Sequence, residues 1–260
     1  MSFKLKKKIL YLIGGSGKIG VDIANKFLNI GFKVVVIDKI KSKKIFKNTN
    51  LFFETIDLEK LSSLEKKLKD IVKKHGIPDT LINSSYPTSK NWFNSSLDKI
   101  KINTFTKNID IHLGSFFWSS KIIADFMKKK NRGSVIMISS IYSVVSQDPE
   151  MYKKTNLRDN QIYGVIKSGI NAFVRQMSSF YGKNNIRLNT ICPGGLEGEI
   201  KGFKQKQNSI FKKNYLSKLS IKRFCKPSDI TEACIFLSDD KKSSYITGQN
   251  IIIDGGYTTK

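Results

Sequence analysis

Short apolar runs alternate with stretches of helical period along the whole chain, and no break in composition or linker interrupts them. Ile9–Ile13, Val34–Ile37, Leu51–Ile56, Thr80–Ile82, Val135–Ile138, Ile186–Ile191 and Ile251–Ile253 read as buried strands. Near-continuous apolar strands separated by helices are the mark of a parallel sheet covered on both faces. Between them, Leu58, Leu61, Leu64, Leu68, Ile71 and Val72 recur at spacings of three and four, which predicts an amphipathic helix. A second such helix carries Ile162, Ile166, Ile170, Phe173, Met177 and Phe180. Gly31 closes the first helix and Pro227 opens a late one. The pattern predicts a single doubly wound α/β domain over residues 1–260. Such sheets bind ligands beyond the carboxyl ends of their strands.

The first strand runs into Gly14-Gly15-Ser16-Gly17-Lys18-Ile19-Gly20, and an apolar-periodic helix follows through Ile23, Ala24 and Phe27. Gly15 to Gly20 fits GxGxxG, whose glycines allow a tight turn, close approach of backbone to a pyrophosphate, and helix-on-strand packing. The helix N-terminus then offers oriented N–H groups to the anion. Lys18 lies inside the glycine spacing, so this is not a Walker loop. Asp38 closes the second strand, 18 residues past Gly20. A carboxylate there accepts hydrogen bonds from the adenosine ribose hydroxyls and repels a 2′-phosphate. NAD is therefore expected rather than NADP, with Lys18, Lys39 and Lys41 able to offset part of that repulsion.

Tyr163 and Lys167 stand one helical turn apart on the second amphipathic helix. A nearby ammonium lowers a phenol's pKa and suits it to general acid/base work. The spacing alone decides nothing: 9 tyrosines and 41 lysines in 260 residues give 9 × 41/260, about 1.4 chance matches. A second match, Tyr86 to Lys90, lies beside a proline without helical period. Context separates them, because Tyr163 follows a strand ending in Ser139-Ser140 and its helix leads to another strand.

Composition changes the picture in two places. The formal charge of +25 would draw any polyanion, yet only five of the 46 basic residues are arginine and the lysines are spread over nearly every predicted helix and loop. A solvated lysine-rich surface is the better reading, with no specific nucleic-acid partner. Cys192, Cys225 and Cys234 form neither a CxxC nor a Cys/His cluster, so no metal site and no disulfide framework is expected, and a reducing cytoplasm fits. Lys4 and Lys6 to Lys8 ahead of Ile9–Ile13 imitate a signal peptide, but the apolar stretch is too short, and no run reaches membrane-spanning length.

Taken in order, the glycine loop, Asp38, Asp57-Leu58, Asn83-Ser84-Ser85, Ser139-Ser140, Tyr163-xxx-Lys167, Pro193-Gly194, Tyr245-Ile246-Thr247-Gly248-Gln249 and Asp254-Gly255-Gly256 resemble the short-chain dehydrogenase/reductase family over essentially the whole chain. The resemblance implies a Rossmann-type fold and reversible hydride transfer between a nicotinamide and an alcohol or ketone. It implies that Tyr163 is the acid/base, that Lys167 binds the nicotinamide ribose and depresses the tyrosine pKa, and that Ser140 holds the substrate oxygen. Gly14, Ser16, Gly17, Lys18, Ile19 and Gly20 would hold the pyrophosphate. Leu58, Asn83, Ser84, Ser85, Pro193, Gly194 and Leu196 would flank the rest of the cofactor. Asp57 would meet the adenine, although a helix N-cap is an equally good local reading. A small-molecule substrate and a homo-oligomer, tetramer or dimer, go with the family.

The chain departs from the family pattern in four places. Lys18 stands where shorter members keep glycine. Asn83-Ser84-Ser85-Tyr86 replaces Asn-Asn-Ala-Gly. The helix asparagine of the catalytic tetrad aligns with His112, which reads either as a proton-relay residue or as core packing. Ser140 and Tyr163 are 23 residues apart, which predicts a substrate-covering insert at about 145–160 beside a loop at about 195–220. Ser139-Ser140-Ile141-Tyr142, the insert and His112-Leu113-Gly114 also resemble a subgroup linked to flagellin and legionaminic-type sugar synthesis. The competing readings are a 3-oxoacyl carrier-protein or steroid-type reductase and a non-catalytic dinucleotide-binding module. The presence of Ser140, Tyr163 and Lys167 argues against the last.

Overall fold

The computed structural model describes residues 7–93, 95–155, 159–196, 198 and 208–259. Among them the seven apolar runs form one parallel sheet: β1 (Ile9–Ile13), β2 (Lys33–Asp38), β3 (Leu51–Thr55), β4 (Thr80–Asn83), β5 (Gly133–Ile138), β6 (Ile186–Pro193) and β7 (Asn250–Ile253). Their order across the sheet is β3-β2-β1-β4-β5-β6-β7. The chain winds outward from β1 to β3, then returns to the other side of β1 for β4. The crevice between β1 and β4 is thus a topological switch point, where such sheets take ligands.

The period-two alternation of side chains divides the core into two layers. Tyr11, Ile13, Val35, Ile37 and Leu81 face one side and pack against α2 (Leu64–His75), α4 (Gly114–Lys128) and α5 (Gln161–Tyr181). Leu10, Leu12, Val34, Val36 and Ile82 face the other, against α1 (Lys18–Asn29) and α7 (Pro227–Ser238). The inner strands β1, β4, β5 and β6 are buried on both faces, which is why they read as unbroken apolar runs, whereas the edge strands β3 and β7 are partly exposed. Tyr11, fully buried, satisfies its hydroxyl by donating to the Gly76 carbonyl at 2.6 Å. No helix among the described residues is long and apolar enough to cross a membrane.

Three local features shape the site. Helix α3 (Ile102–Asn108) runs through a π-turn at Ile109–Leu113 into α4, and His112 sits in that turn. Such single π-turns inside helices often mark functional positions. The expected insert holds a 3-10 turn at Pro149–Tyr152, and the expected loop holds α6 (Ser209–Lys218). These two segments grip each other: Lys218 Nζ pairs with Asp148 at 2.9 Å, Asn214 donates to the Met151 carbonyl at 3.4 Å, and Tyr152 packs on Phe211. Residues 156–158, 197 and 199–207 of the same two stretches lie outside the described residues.

Candidate active site

The glycine loop is built for close approach. Gly14 has φ +76°, and a Cβ on it would stand 2.5 Å from the Ser85 backbone. A Cβ on Gly20 would stand 2.3 Å from the Gly14 carbonyl oxygen, which forces glycine where α1 meets the turn. Gly17 is the N-cap of α1, and its flank toward the cleft is open apart from the Gly14 oxygen at 3.4 Å. This cradle, at a helix N-terminus whose first N–H groups lack intrahelical partners, fits a dinucleotide pyrophosphate. Lys18 lines the cleft above it and reaches toward Gly198.

Asp38 ends β2 beside this cradle. One carboxylate oxygen accepts from the Ser16 N–H at 2.9 Å and the other from the Lys39 N–H at 2.7 Å. The loop therefore positions the carboxylate, and each oxygen keeps a lone pair for a further donor. Asp57 differs from its N-cap reading. A 3-10 turn at Leu61–Ser63 intervenes, so α2 begins six residues beyond Leu58, and Asp57 closes a local turn by accepting from the Glu59 N–H at 3.1 Å. Lys39 Nζ lies 3.3 Å from its other oxygen. Burial pushes the Asp57 carboxyl upward, but the Glu59 N–H and the Lys39 ammonium outweigh it and hold the group below the usual carboxylate range.

The Asn83-Ser84-Ser85 segment does two jobs. Asn83 is fully buried, donates to Ser119 Oγ at 3.2 Å on α4, and accepts from Ser85 N–H and hydroxyl. Ser84 donates its hydroxyl to the Ile13 and Gly14 carbonyls and, with Ser85, lines the cleft. Asn83 and Gly20 thus stand behind the wall and support it, whereas Gly14, Ser16, Gly17, Ile19, Leu58, Pro193, Gly194 and Leu196 line it. The cleft holds about 890 Å³ and runs from Asp38 to Tyr142.

At its far end the Ser140, Tyr163 and Lys167 side chains converge. Asn160 caps α5 by accepting from the Tyr163 N–H at 3.0 Å, which places Tyr163 in the first helical turn. Its hydroxyl lies beside Ser140. Burial pushes the phenol up to about 12, and the Ser140 hydroxyl works against that rise. Lys167 Nζ donates to the Ile138 carbonyl at 3.0 Å and lies 5.5 Å from the Tyr163 ring centre. Burial pulls Lys167 down to about 7. The pair is thus adjacent, but burial governs both titrations more than their mutual charge.

His112 is fully buried and does not line the cleft. Its ring stands 5.3 Å from Tyr86, 6.0 Å from Trp92 and 5.5 Å from Phe116. Tyr86 accepts from Trp92 Nε1 at 3.1 Å and stands 5.8 Å from the Tyr163 ring. The chance match Tyr86–Lys90 lies in a loop, with Lys90 turned to solvent, so it forms no second helical pair. Sequence reasoning missed Trp92, which packs on Tyr163, and Tyr152 and Tyr257, which lie near Tyr142. No spacing marks them, because they come from separate loops and the chain end.

A sequence profile for the family described as Enoyl-(Acyl carrier protein) reductase matches residues 15–258. Post-translational flagellin modification protein A of Campylobacter coli is 29% identical over 97% of this chain and 99% of its own length. The 3-oxoacyl-[acyl-carrier-protein] reductase FabG of Buchnera aphidicola subsp. Schizaphis graminum is 30% identical over 97% of this chain and 98% of its own. The crystal structure of a short-chain dehydrogenase from Leptospira borgpetersenii with bound NAD+ superposes with a TM-score of 0.85 at 26% identity, covering 98% of this chain and 94% of that one.

Proposed function

The chain belongs to the short-chain dehydrogenase/reductase family, and from that premise we propose that it uses NAD to interconvert a hydroxylated ketone and its alcohol, the substrate being a sugar or sugar phosphate of surface-glycan synthesis. The observation that carries the reaction is the convergence of Ser140, Tyr163 and Lys167 at the end of the glycine cradle. The bound nicotinamide supplies or takes the hydride. Ser140 holds the substrate oxygen, and Tyr163 hands that oxygen its proton or takes it back. With its phenol near 12, Tyr163 keeps its proton at neutral pH and is loaded for carbonyl reduction. Lys167, anchored on Ile138, holds the nicotinamide ribose and steadies the tyrosine ring. The aromatic box around His112 supports packing rather than proton relay for that residue.

Asp38 supports NAD over NADP, because its carboxylate is fixed by Ser16 where the ribose diol lies. The sugar reading draws on the likeness to the Campylobacter flagellin modification protein and on the basic surface. The likeness to the Buchnera reductase supports an acyl-thioester alternative. Exposed Trp118 on α4 and Val165 and Phe180 on α5 support a homo-oligomer built on these helices. Free thiols at Cys192, Cys225 and Cys234 suit a reducing cytoplasm.

The test follows NADH oxidation with keto sugars, sugar phosphates and acetoacetyl thioesters, for wild type and Tyr163→Phe. Turnover of a keto sugar that falls by about 10²–10⁴ in the variant, with NADH still bound, is the expected result. Faster turnover of the thioester refutes the sugar reading, and an active Tyr163→Phe removes this tyrosine from the chemistry.

A further inference from the structure

Beside Ser140 and Tyr163 three phenols from distant segments meet. Tyr142 follows β5, Tyr152 belongs to the insert, and Tyr257 lies in the 3-10 turn at Tyr257–Thr259. The Tyr142 phenol lies close enough to the other two to interact with them electrostatically. It lines the cleft, with its ring 6.3 Å from that of Tyr163 and its backbone N–H donating to Ser140 Oγ at 3.2 Å. The partners behind it are held rigidly. The Tyr257 ring stacks on Tyr215 at 5.4 Å, the Tyr215 hydroxyl accepts from the Gly195 N–H, and Tyr152 packs on Phe211.

Three hydroxyls bring three protons and six lone pairs. Bonds from Tyr142 to the other two would use at most two protons and two lone pairs, so the cluster keeps a donor and several acceptors. Burial raises all three phenols, so they stay neutral hydrogen-bonding groups. A wall of this kind suits a hydroxyl-bearing ligand and is costly to leave unpaired against a hydrocarbon chain.

Resting on the reading of this chain as a reductase of hydroxylated ketones, we propose that Tyr142, which lines the cleft beside Ser140 and Tyr163, is its specificity-determining residue: its hydroxyl, flanked by Tyr152 and Tyr257, recognises a substrate hydroxyl on a carbon next to the reacting carbonyl. Tyr152 and Tyr257 are positioning residues, because they act through Tyr142.

The experiment compares matched ketones with NADH as reductant: D-ribulose against 2-pentanone, and dihydroxyacetone against acetone. The measured quantity is the ratio of kcat/KM within each pair. Wild type favours the hydroxylated member. Tyr142→Phe lowers that ratio roughly three- to tenfold, chiefly through KM, as expected for one lost neutral hydrogen bond. Tyr257→Phe keeps the ring on Tyr215 and moves the ratio the same way by less. A purely structural role would slow both members of a pair equally and leave the ratio in place, which overturns the assignment. Wild type that does not favour the hydroxylated ketone, or turns over neither, overturns it as well. If wild type instead prefers acetoacetyl thioester, the sugar reading fails by itself, before any variant is made.

Discussion

Gly20→Ala tests whether the glycine cradle holds the cofactor by close packing. The added methyl would lie 2.3 Å from the Gly14 carbonyl oxygen and 2.6 Å from Gly15 Cα, both of them backbone. Ordinary contact begins near 3.4 Å, so α1 has to retreat by about 1.1 Å from the turn. Overpacking of this kind costs about 1–3 kcal/mol of stability. The same retreat carries the helix N–H groups away from the pyrophosphate. Loss of one charge-assisted hydrogen bond, about 1.5–3 kcal/mol, corresponds to roughly ten- to hundredfold weaker NADH binding. Urea unfolding gives the first quantity and fluorescence titration with NADH the second. Gly182→Ala is the control: its φ is −55° and nothing lies within 4 Å of the new methyl, so it should stabilise by about 0.4–1 kcal/mol and leave NADH affinity alone. A Gly20→Ala protein that unfolds with wild type and binds NADH equally well would refute the close-packing argument.

Three other substitutions probe the rest of the site. Asp38→Ala with Ile40→Arg, the latter at a position 73% exposed, should turn the cofactor preference toward NADP; the like charges it removes are worth about 1–4 kcal/mol at dielectrics of 80 to 20, and dissociation constants for NADH and NADPH measure the change. Lys167 is pulled down to about 7 from an ordinary 10.5, so the unfolded chain binds a proton that the folded one lacks between those values. Stability should therefore rise as pH goes from about 7 to 10, lose that gain as pH falls from 10 to 7 with no further change from this group below 7, and show a flatter slope in Lys167→Met by urea unfolding. His112→Asn should lower stability by about 1–3 kcal/mol and leave the pH–rate profile unmoved, because its ring packs on Tyr86 and Phe116; a shifted profile would restore the relay.

Much of the fold was legible because burial on both faces of the sheet writes itself into unbroken apolar runs. β1 begins and ends where Ile9–Ile13 predicts, and β3 stops one residue short of Ile56. β6 runs on to Pro193, which a proline would ordinarily forbid in mid-strand. It is accommodated there as the last residue. Asp57 shows the limit of local reading. Its carboxylate has the look of an N-cap, but the cap geometry depends on where the helix starts, and a 3-10 turn postponed that start. His112 was placed on a helix correctly, yet neither the π-turn beneath it nor the aromatic box around it follows from spacing.

The two halves of the cleft differ in what builds them, and that difference explains which half could be read. The glycine end is made by backbone: a contiguous stretch from Gly14 to Gly20 whose positive φ at Gly14 and missing Cβ atoms leave room for a closely approaching ligand. Such constraints act on residue types at fixed intervals, so a sequence displays them. The far end, around Tyr142 and Tyr163, is backed by side chains that meet only after folding. Tyr86 and Trp92 come from the β4–α3 loop, Tyr142 from the end of β5, Tyr152 from the insert, and Tyr257 from the C-terminal turn. Asp148 and Lys218 then fasten the insert to α6 across a sequence gap that no period spans. A change in the glycine cradle is consequently felt by any reaction the cofactor serves. On the specificity proposed for Tyr142, a change among the phenols should alter which ketone is taken while the hydride chemistry stays the same, which is how one cofactor frame can serve different substrates.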